Sequence, residues 1–208
     1  MEYFTTTSNA SRRAVDCVIV GIYERGKLGA GAAQIDSASK GTLKRHLKSG
    51  DVSGHLGRCA VLTDVAGVRA RRVAVVGLGK FSVFDVRKYS QALASAMQTI
   101  SRSNSRQILN ALTLEKAGGA GSYYLGRHTA QTIGDALYRF TEMKSGKKAP
   151  AMPLKKVGMA VANRGDATKA MRGATHGDAI VSGMTIAKDL GNLPANVCTP
   201  SYIARTAQ

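Results

Sequence analysis

Asp16-Cys-Val-Ile-Val-Gly-Ile-Tyr23 is a nearly continuous apolar run. Such a run, without polar alternation, is the mark of a strand buried on both faces, and strands of that kind belong to parallel sheets covered by helices on each side. Outward from it the same grammar repeats. Gly29 to Lys48 has helical spacing interrupted at Gly41. Arg58-Cys-Ala-Val-Leu-Thr63 and Arg71-Arg-Val-Ala-Val-Val-Gly77 are two more buried strands, joined by a link short enough for them to pair as a hairpin. Asp85 to Arg102 is a helix with Asp85 as its cap, and Val86, Tyr89, Leu93, Met97 and Ile100 on one stripe. Gln107 to Thr113 reads as a strand, Ser122 to Met143 as a helix with Ile133, Leu137 and Phe140 on one stripe, and Lys155 to Val161 as a strand. Asp166 to Leu190 reads as a last long helix with Ile180, Met184, Ala187 and Leu190 on one side, and Tyr3 to Thr6 as a short β-prone segment. Strands alternating with helices predict a layered α/β domain with a mixed, largely parallel central sheet.

Composition sets the outer bounds. The chain has 208 residues, 44% hydrophobic and 21% charged, enough for one sizeable core. No apolar run approaches the roughly 20 residues that span a bilayer, so no membrane partner is expected. The N-terminus, Met1-Glu-Tyr-Phe-Thr-Thr-Thr7, lacks the basic flank and apolar core of a signal peptide. Cys17, Cys59 and Cys198 form neither a disulfide framework nor a metal-ligand pair, and a reducing cytoplasm is the expected compartment. Thirty Lys and Arg against 13 Asp and Glu give a net charge of +17, a surface suited to polyanions or balanced by an acidic partner.

Few residues announce chemistry. His46, His55, His128 and His176 do not fall at ligand spacing, and no nucleophile elbow occurs. Gly77-Leu-Gly-Lys80 follows a buried strand and has the placement of a phosphate loop, but Ser82 stands where a third glycine is expected; a tight strand-to-loop turn is the favoured reading, and titration with ADP-ribose is expected to give no saturable signal. Gly29-Ala-Gly-Ala-Ala33 and Gly118-Gly-Ala-Gly121 read as helix entry loops. Lys144, Lys147, Lys148, Lys155, Lys156 and Arg164 form the densest basic stretch without an intervening acid, a candidate strip for the phosphates of duplex DNA or a solvated lysine loop. With no Trp and 5% aromatics, recognition by base stacking is disfavoured.

The C-terminal stretch, Ala187-Lys-Asp-Leu-Gly-Asn-Leu-Pro-Ala-Asn-Val-Cys-Thr-Pro-Ser-Tyr-Ile-Ala204, reads as a junction. Gly191 can close a helix in the left-handed conformation, and Pro194 prevents its resumption. Thr199-Pro200 then opens a new helix with a hydroxyl cap and a proline at its first position. That helix is barely two turns long and marginal unless it packs on something. The spacing predicts that the chain is the front part of a longer protein; the alternative is a terminal helix folded back on its own domain.

This stretch resembles the domain junction of the leucine aminopeptidase (cytosol aminopeptidase) family, whose signature "ARDLxNxPxNxxTPxxLA" is matched at Asp189, Leu190, Asn192, Pro194, Asn196, Thr199 and Pro200. The buried strand at 17–22, Arg72 to Lys80 and the helix from Asp85 are similar too, most of all to bacterial members. The resemblance implies a three-layer macrodomain-like sandwich over 1–163, a linker helix over 164–191 and the start of a catalytic domain at 192–208. It implies a cytoplasmic homo-hexameric parent that releases N-terminal residues, leucine preferred, with two divalent metals, zinc or manganese, in the catalytic domain. The family's metal-binding segments, Gly-Lys-Gly-x-Thr-Phe-Asp and Asn-Thr-Asp-Ala-Glu-Gly-Arg, do not occur in this sequence. No catalytic or metal residue, and no cofactor, is therefore carried over to this chain; its partner is expected to be the catalytic domain of the same polypeptide. Some bacterial members that resemble it also bind DNA, a role the charge would suit.

Overall fold

A computed structural model describes residues 1–143 and 153–207. Six strands form one sheet: β1 (Glu2–Thr6), β2 (Cys17–Ile22), β3 (Cys59–Thr63), β4 (Arg72–Gly77), β5 (Gln107–Asn110) and β6 (Lys156–Ala160), in the order β1-β6-β5-β2-β4-β3. Every neighbouring pair is parallel except β3 and β4, which run antiparallel in the register Val61 to Ala74, as the short link between them predicts. The helices are α1 (Ala30–Ala38), α2 (Thr42–Ser49), α3 (Val86–Ile100), α4 (Ser122–Leu137), α5 (Arg164–Asn192) and α6 (Pro200–Ala207).

Alternation along the strands divides the core. Ile19, Ala74, Val76, Ile108 and Val157 face one side and pack with Tyr89, Leu93, Met97 and Ile133 of α3 and α4. Val18, Val20, Ile22, Val73, Val75 and Leu109 face the other and pack with Ile35 of α1 and Leu43 of α2. All six residues of β2 are buried, which is why its sequence shows no polar alternation. A polar knot ties three elements: Asn110 Nδ2 donates to the Tyr89 hydroxyl at 2.8 Å, which lies 2.7 Å from Thr129 Oγ1. Burial pushes the Tyr89 hydroxyl up to about 12, so it stays protonated.

Several boundaries differ from the sequence expectation. The helix expected over 29–48 is two helices, because Lys40 and Gly41 both take positive φ. β5 ends at Asn110, three residues early, because the Asn110 side chain accepts the Leu112 N–H at 3.0 Å and turns the chain. α4 stops at Leu137 rather than Met143, since Tyr138 is extended and its hydroxyl donates to Asp189 Oδ1 on α5 at 2.8 Å. Gly191 does not adopt the left-handed conformation; α5 runs through it to Asn192 and ends because Pro194 holds Leu193 in an extended conformation.

The apolar side of α5 read from its sequence is not the face that packs. Ile180 is 38% exposed, Ala187 is exposed, and Met184 and Leu190 are only partly covered. The face that packs is made of Ala170, Gly173, Ala174 and Gly177 in the first half of the helix. A Cβ on Gly173 would strike the Tyr123 carbonyl of α4, and one on Gly177 the Arg127 carbonyl. Two helix backbones this close leave room for small residues only, so the larger apolar stripe is left outside.

Candidate functional site

Parallel strands place all their carboxyl ends on one edge, and ligand crevices of α/β sheets lie there. On this edge Gly77 to Lys80 is a turn with its donors already used. The N–H of Gly77 donates to Arg58 O, that of Leu78 to Ile22 O and that of Gly79 to Gly54 O, each at 2.8 Å. Gly77 is required because a Cβ would strike the His55 carbonyl, and Gly79 because its φ is +75°. The three amides are engaged by the protein itself, so the turn reading describes this loop.

Glu115, after β5, was not distinguished by any sequence signal, yet it is only 7% exposed at this edge. Its Oε1 accepts the Ala30 N–H at the head of α1 at 2.6 Å, and its Oε2 accepts the Tyr23 hydroxyl at 2.9 Å. Burial pushes the Glu115 carboxyl above the ordinary glutamate range; the Tyr23 hydroxyl, the Ala30 and Gly31 amides and the Lys27 ammonium oppose that rise. Tyr23 in turn is raised by burial and by the Glu115 charge. A cavity of about 560 Å³ is lined by Glu115, Lys116, Tyr123, Tyr124 and Lys169 among others. The sequence hid this residue because its partners are 85 and 92 positions away.

The candidate basic strip is divided by the fold. Lys144, Lys147 and Lys148 lie outside the described residues. Lys155 and Lys156 stand at the start of β6, whereas Arg164 opens α5 beyond the other end of that strand. Lys155 and Lys156 instead join arginines from distant parts of the chain at the amino ends of the strands. Their N–H groups both donate to Arg106 O, the Arg69 N–H donates to Ser11 O beside Arg12, and Cys17 is in register with Arg72. Arg12, Arg69, Arg71, Arg106, Lys155 and Lys156 are all exposed, and among them only Lys156 has a carboxylate partner within the described residues, Glu2 at 2.9 Å. The signal was available: Arg69, Arg71, Arg106, Lys155 and Lys156 sit shortly before or at the opening of a strand, and parallel strands begin on one edge.

Histidine plays no collective part. His46 pairs with Asp51 at 3.1 Å, His55 with Glu24 at 3.5 Å, and His176 Nδ1 lies 2.9 Å from the Tyr123 hydroxyl. His128 is lowered by burial and by Arg127. Among the described residues no three His, Cys, Asp or Glu side chains come together at metal-holding distance, so this donor set does not fit the two metals implied by the resemblance. Burial pushes the Cys17 thiol up to about 12, which makes it inert packing. No helix among the described residues is long and apolar enough to cross a membrane.

The junction motif forms a latch and a turn. Asp189 accepts from Tyr138, while Asn192 Nδ2 donates to the Tyr138 hydroxyl at 3.2 Å and to Lys188 O at 2.7 Å. Pro194 O accepts the N–H groups of Val197 and Cys198 at 2.9 Å each, and Asn196 is exposed in that turn. Thr199 Oγ1 accepts the Tyr202 N–H at 3.3 Å and Pro200 is the first residue of α6, the start signal expected for these two residues. No residue of α6 is buried, so the helix is not folded back into the core.

These features define a class: an α/β sandwich of macrodomain type followed by a short C-terminal helix, α6, that buries no residue. A Trypanosoma brucei macrodomain solved in complex with ADP is similar over 82% of this chain and 67% of its own, with TM-score 0.60 and 13% identity, a likeness of fold alone. The model of the cytosol aminopeptidase family, N-terminal domain, matches residues 19–147, and the chain belongs to that family. It is 36% identical over its whole length to a probable cytosol aminopeptidase of Alkalilimnicola ehrlichii. It shares the fold of a tomato leucine aminopeptidase over 100% of this chain and 41% of that one, with TM-score 0.79 and 19% identity. The chain spans about 42% of the length of the curated relatives it matches.

Proposed function

We propose that this chain is the non-catalytic N-terminal domain of a cytoplasmic, metal-dependent leucyl aminopeptidase, with the remainder of the polypeptide supplying the chemistry. The observation that carries this reading is the exposure of apolar side chains along the second half of α5 and on α6. Only the first half of α5 has buried residues; beyond it Ile180 and Ile186, 38% and 48% exposed, and Ile203 of α6, 45% exposed, are apolar side chains that this domain leaves uncovered. In this proposal a catalytic domain covers those side chains and would hold two divalent ions able to supply Lewis-acid chemistry at the scissile carbonyl, and a homo-hexamer is assembled through the whole protein. Among the described residues no three His, Cys, Asp or Glu side chains gather, so in this proposal the ions are held by the remainder of the polypeptide. Their part is mechanical: the Tyr138 latch fixes the end of α5, and the capped turn at Thr199 sets where the next domain begins.

The purified chain should not hydrolyse leucine anilides with manganese present, and clear turnover would overturn the proposal. Grafted in place of the matching 42% of the Alkalilimnicola ehrlichii relative, it should give a folded, active peptidase. A folded but inactive chimera would count equally against it.

A second reading rests on a separate observation, the row of exposed cations at the amino ends of the strands. Such an edge would grip duplex DNA by its phosphates with little sequence preference. Binding should fall steeply with salt, and replacing Arg71, Arg106 and Lys155 together by Gln should weaken it evenly across sequences and flatten the salt slope. Salt-insensitive binding, or none at low salt, removes this reading.

A further inference from the structure

Everything that points at the Glu115 carboxylate is a donor or a cation. The Ala30 N–H donates to Oε1 at 2.6 Å, the Tyr23 hydroxyl donates to Oε2 at 2.9 Å, and the Gly31 amide and the Lys27 ammonium both favour its charged form. Glycine at position 29 completes the cradle, because a Cβ there would run into Oε1 of Glu115. An amide-lined helix start, a hydroxyl and an ammonium converging on one point are the furnishings of an anion site. Here the anion is supplied by the chain itself, across 85 residues of sequence. Glu115 is also among the residues that line an open cavity of about 560 Å³, together with Lys116 and Lys169.

We propose that Glu115 is a built-in anion: its carboxylate fills the anion place at the head of α1 and so bars phosphate-bearing ligands from the crevice at the carboxyl ends of the strands. The fold keeps the cradle while the side chain withholds the vacancy. This is independent of the peptidase and DNA readings, neither of which uses the crevice. It gives a physical ground for the expectation that ADP-ribose finds no saturable site. The Gly77 to Gly79 amides are consumed by carbonyls, and the α1 amide is consumed by a carboxylate.

The test is Glu115→Ala with inorganic phosphate as the probe at pH 7.5, read by NMR at the Ala30 amide so that phosphate loosely held by the basic surface does not register. In the wild-type chain the Ala30 amide should not move with phosphate. In Glu115→Ala it should titrate saturably, with at least about tenfold tighter apparent binding than in the wild type. Glu115→Gln keeps an acceptor on Ala30 and fills the space, and should behave as the wild type. Saturable movement of Ala30 in the wild type, or none in a folded Glu115→Ala chain, overturns the proposal. If Glu115→Ala does not fold, Glu115→Gly with formate present decides it: formate should restore folding where equal chloride does not. Equal failure with both salts rejects the idea.

Discussion

The two halves of α5 are made of similar residues and live under different rules. From Arg164 to Gly177 small residues are obligatory, because the carbonyls of Tyr123 and Arg127 on α4 stand where a Cβ would go. From Asp178 onward the demand vanishes: Gly183 and Gly191 have nothing within 4 Å of a built Cβ, and isoleucines point outward. A glycine in the first half is a packing residue; a glycine in the second is a helix weakener without a local reason. The difference teaches that the first half meets α4 backbone to backbone, while the second half meets this domain through side chains: Asp178 with Tyr3, Val181 over Gly134, the Lys188–Asp135 ion pair and the Tyr138 latch.

The sharpest way to break that contrast is Gly173→Val. It drives a branched side chain into the α4 backbone and should cost about 3 kcal/mol, read as a loss of urea midpoint with unchanged slope. The matching change in the second half, Gly183→Ala, should go the other way and stabilise by about 0.5–1 kcal/mol, because only the helix penalty of glycine is removed. If both substitutions destabilise alike, the second half is packed in solution and the contrast fails.

Smaller effects sharpen it. Tyr138→Phe removes both latch bonds, so amide exchange should quicken from Met184 to Leu193 and stay unchanged from Asp166 to Gly177. Thr199→Ala should lose about 1 kcal/mol of local α6 stability, visible as lower helicity there rather than as a shifted global transition. A pH series on Glu115→Gln isolates the other internal contact. Glu115 is raised in the fold, so its contribution is full below the ordinary glutamate value and is lost as pH rises through the raised value. Relative to Glu115→Gln, the wild type should therefore lose stability across that window with rising pH, and parallel curves would remove the assigned shift.

Legibility in the sequence followed the range of the interaction. The buried strands, the Asp85 cap and the Thr199-Pro200 start are written within a few residues, and the structure has each of them, with the Asp85 carboxylate 2.8 Å from the Lys88 amide. The junction motif was legible as a family resemblance, and the family match agrees with it. The candidate basic strip was read along the chain, but charge gathers in space, so Arg164 parted from Lys155 and Lys156 while Arg69, Arg71 and Arg106 joined them. The inward face of α5 was misread for a related reason. Hydrophobic periodicity finds the stripe with the larger side chains, whereas a tight helix pair selects the stripe with the smaller ones.

By itself the sequence determined the α/β alternation, the mixed parallel sheet and the family, since each depends on local periodicity, turn chemistry or an ordered motif. Only the tertiary structure decided which face of α5 packs, where the cations assemble and that Glu115 occupies the head of α1. Those three depend on which distant backbones come within hydrogen-bonding or van der Waals reach, and that distance is set by the packed sheet rather than by spacing along the chain.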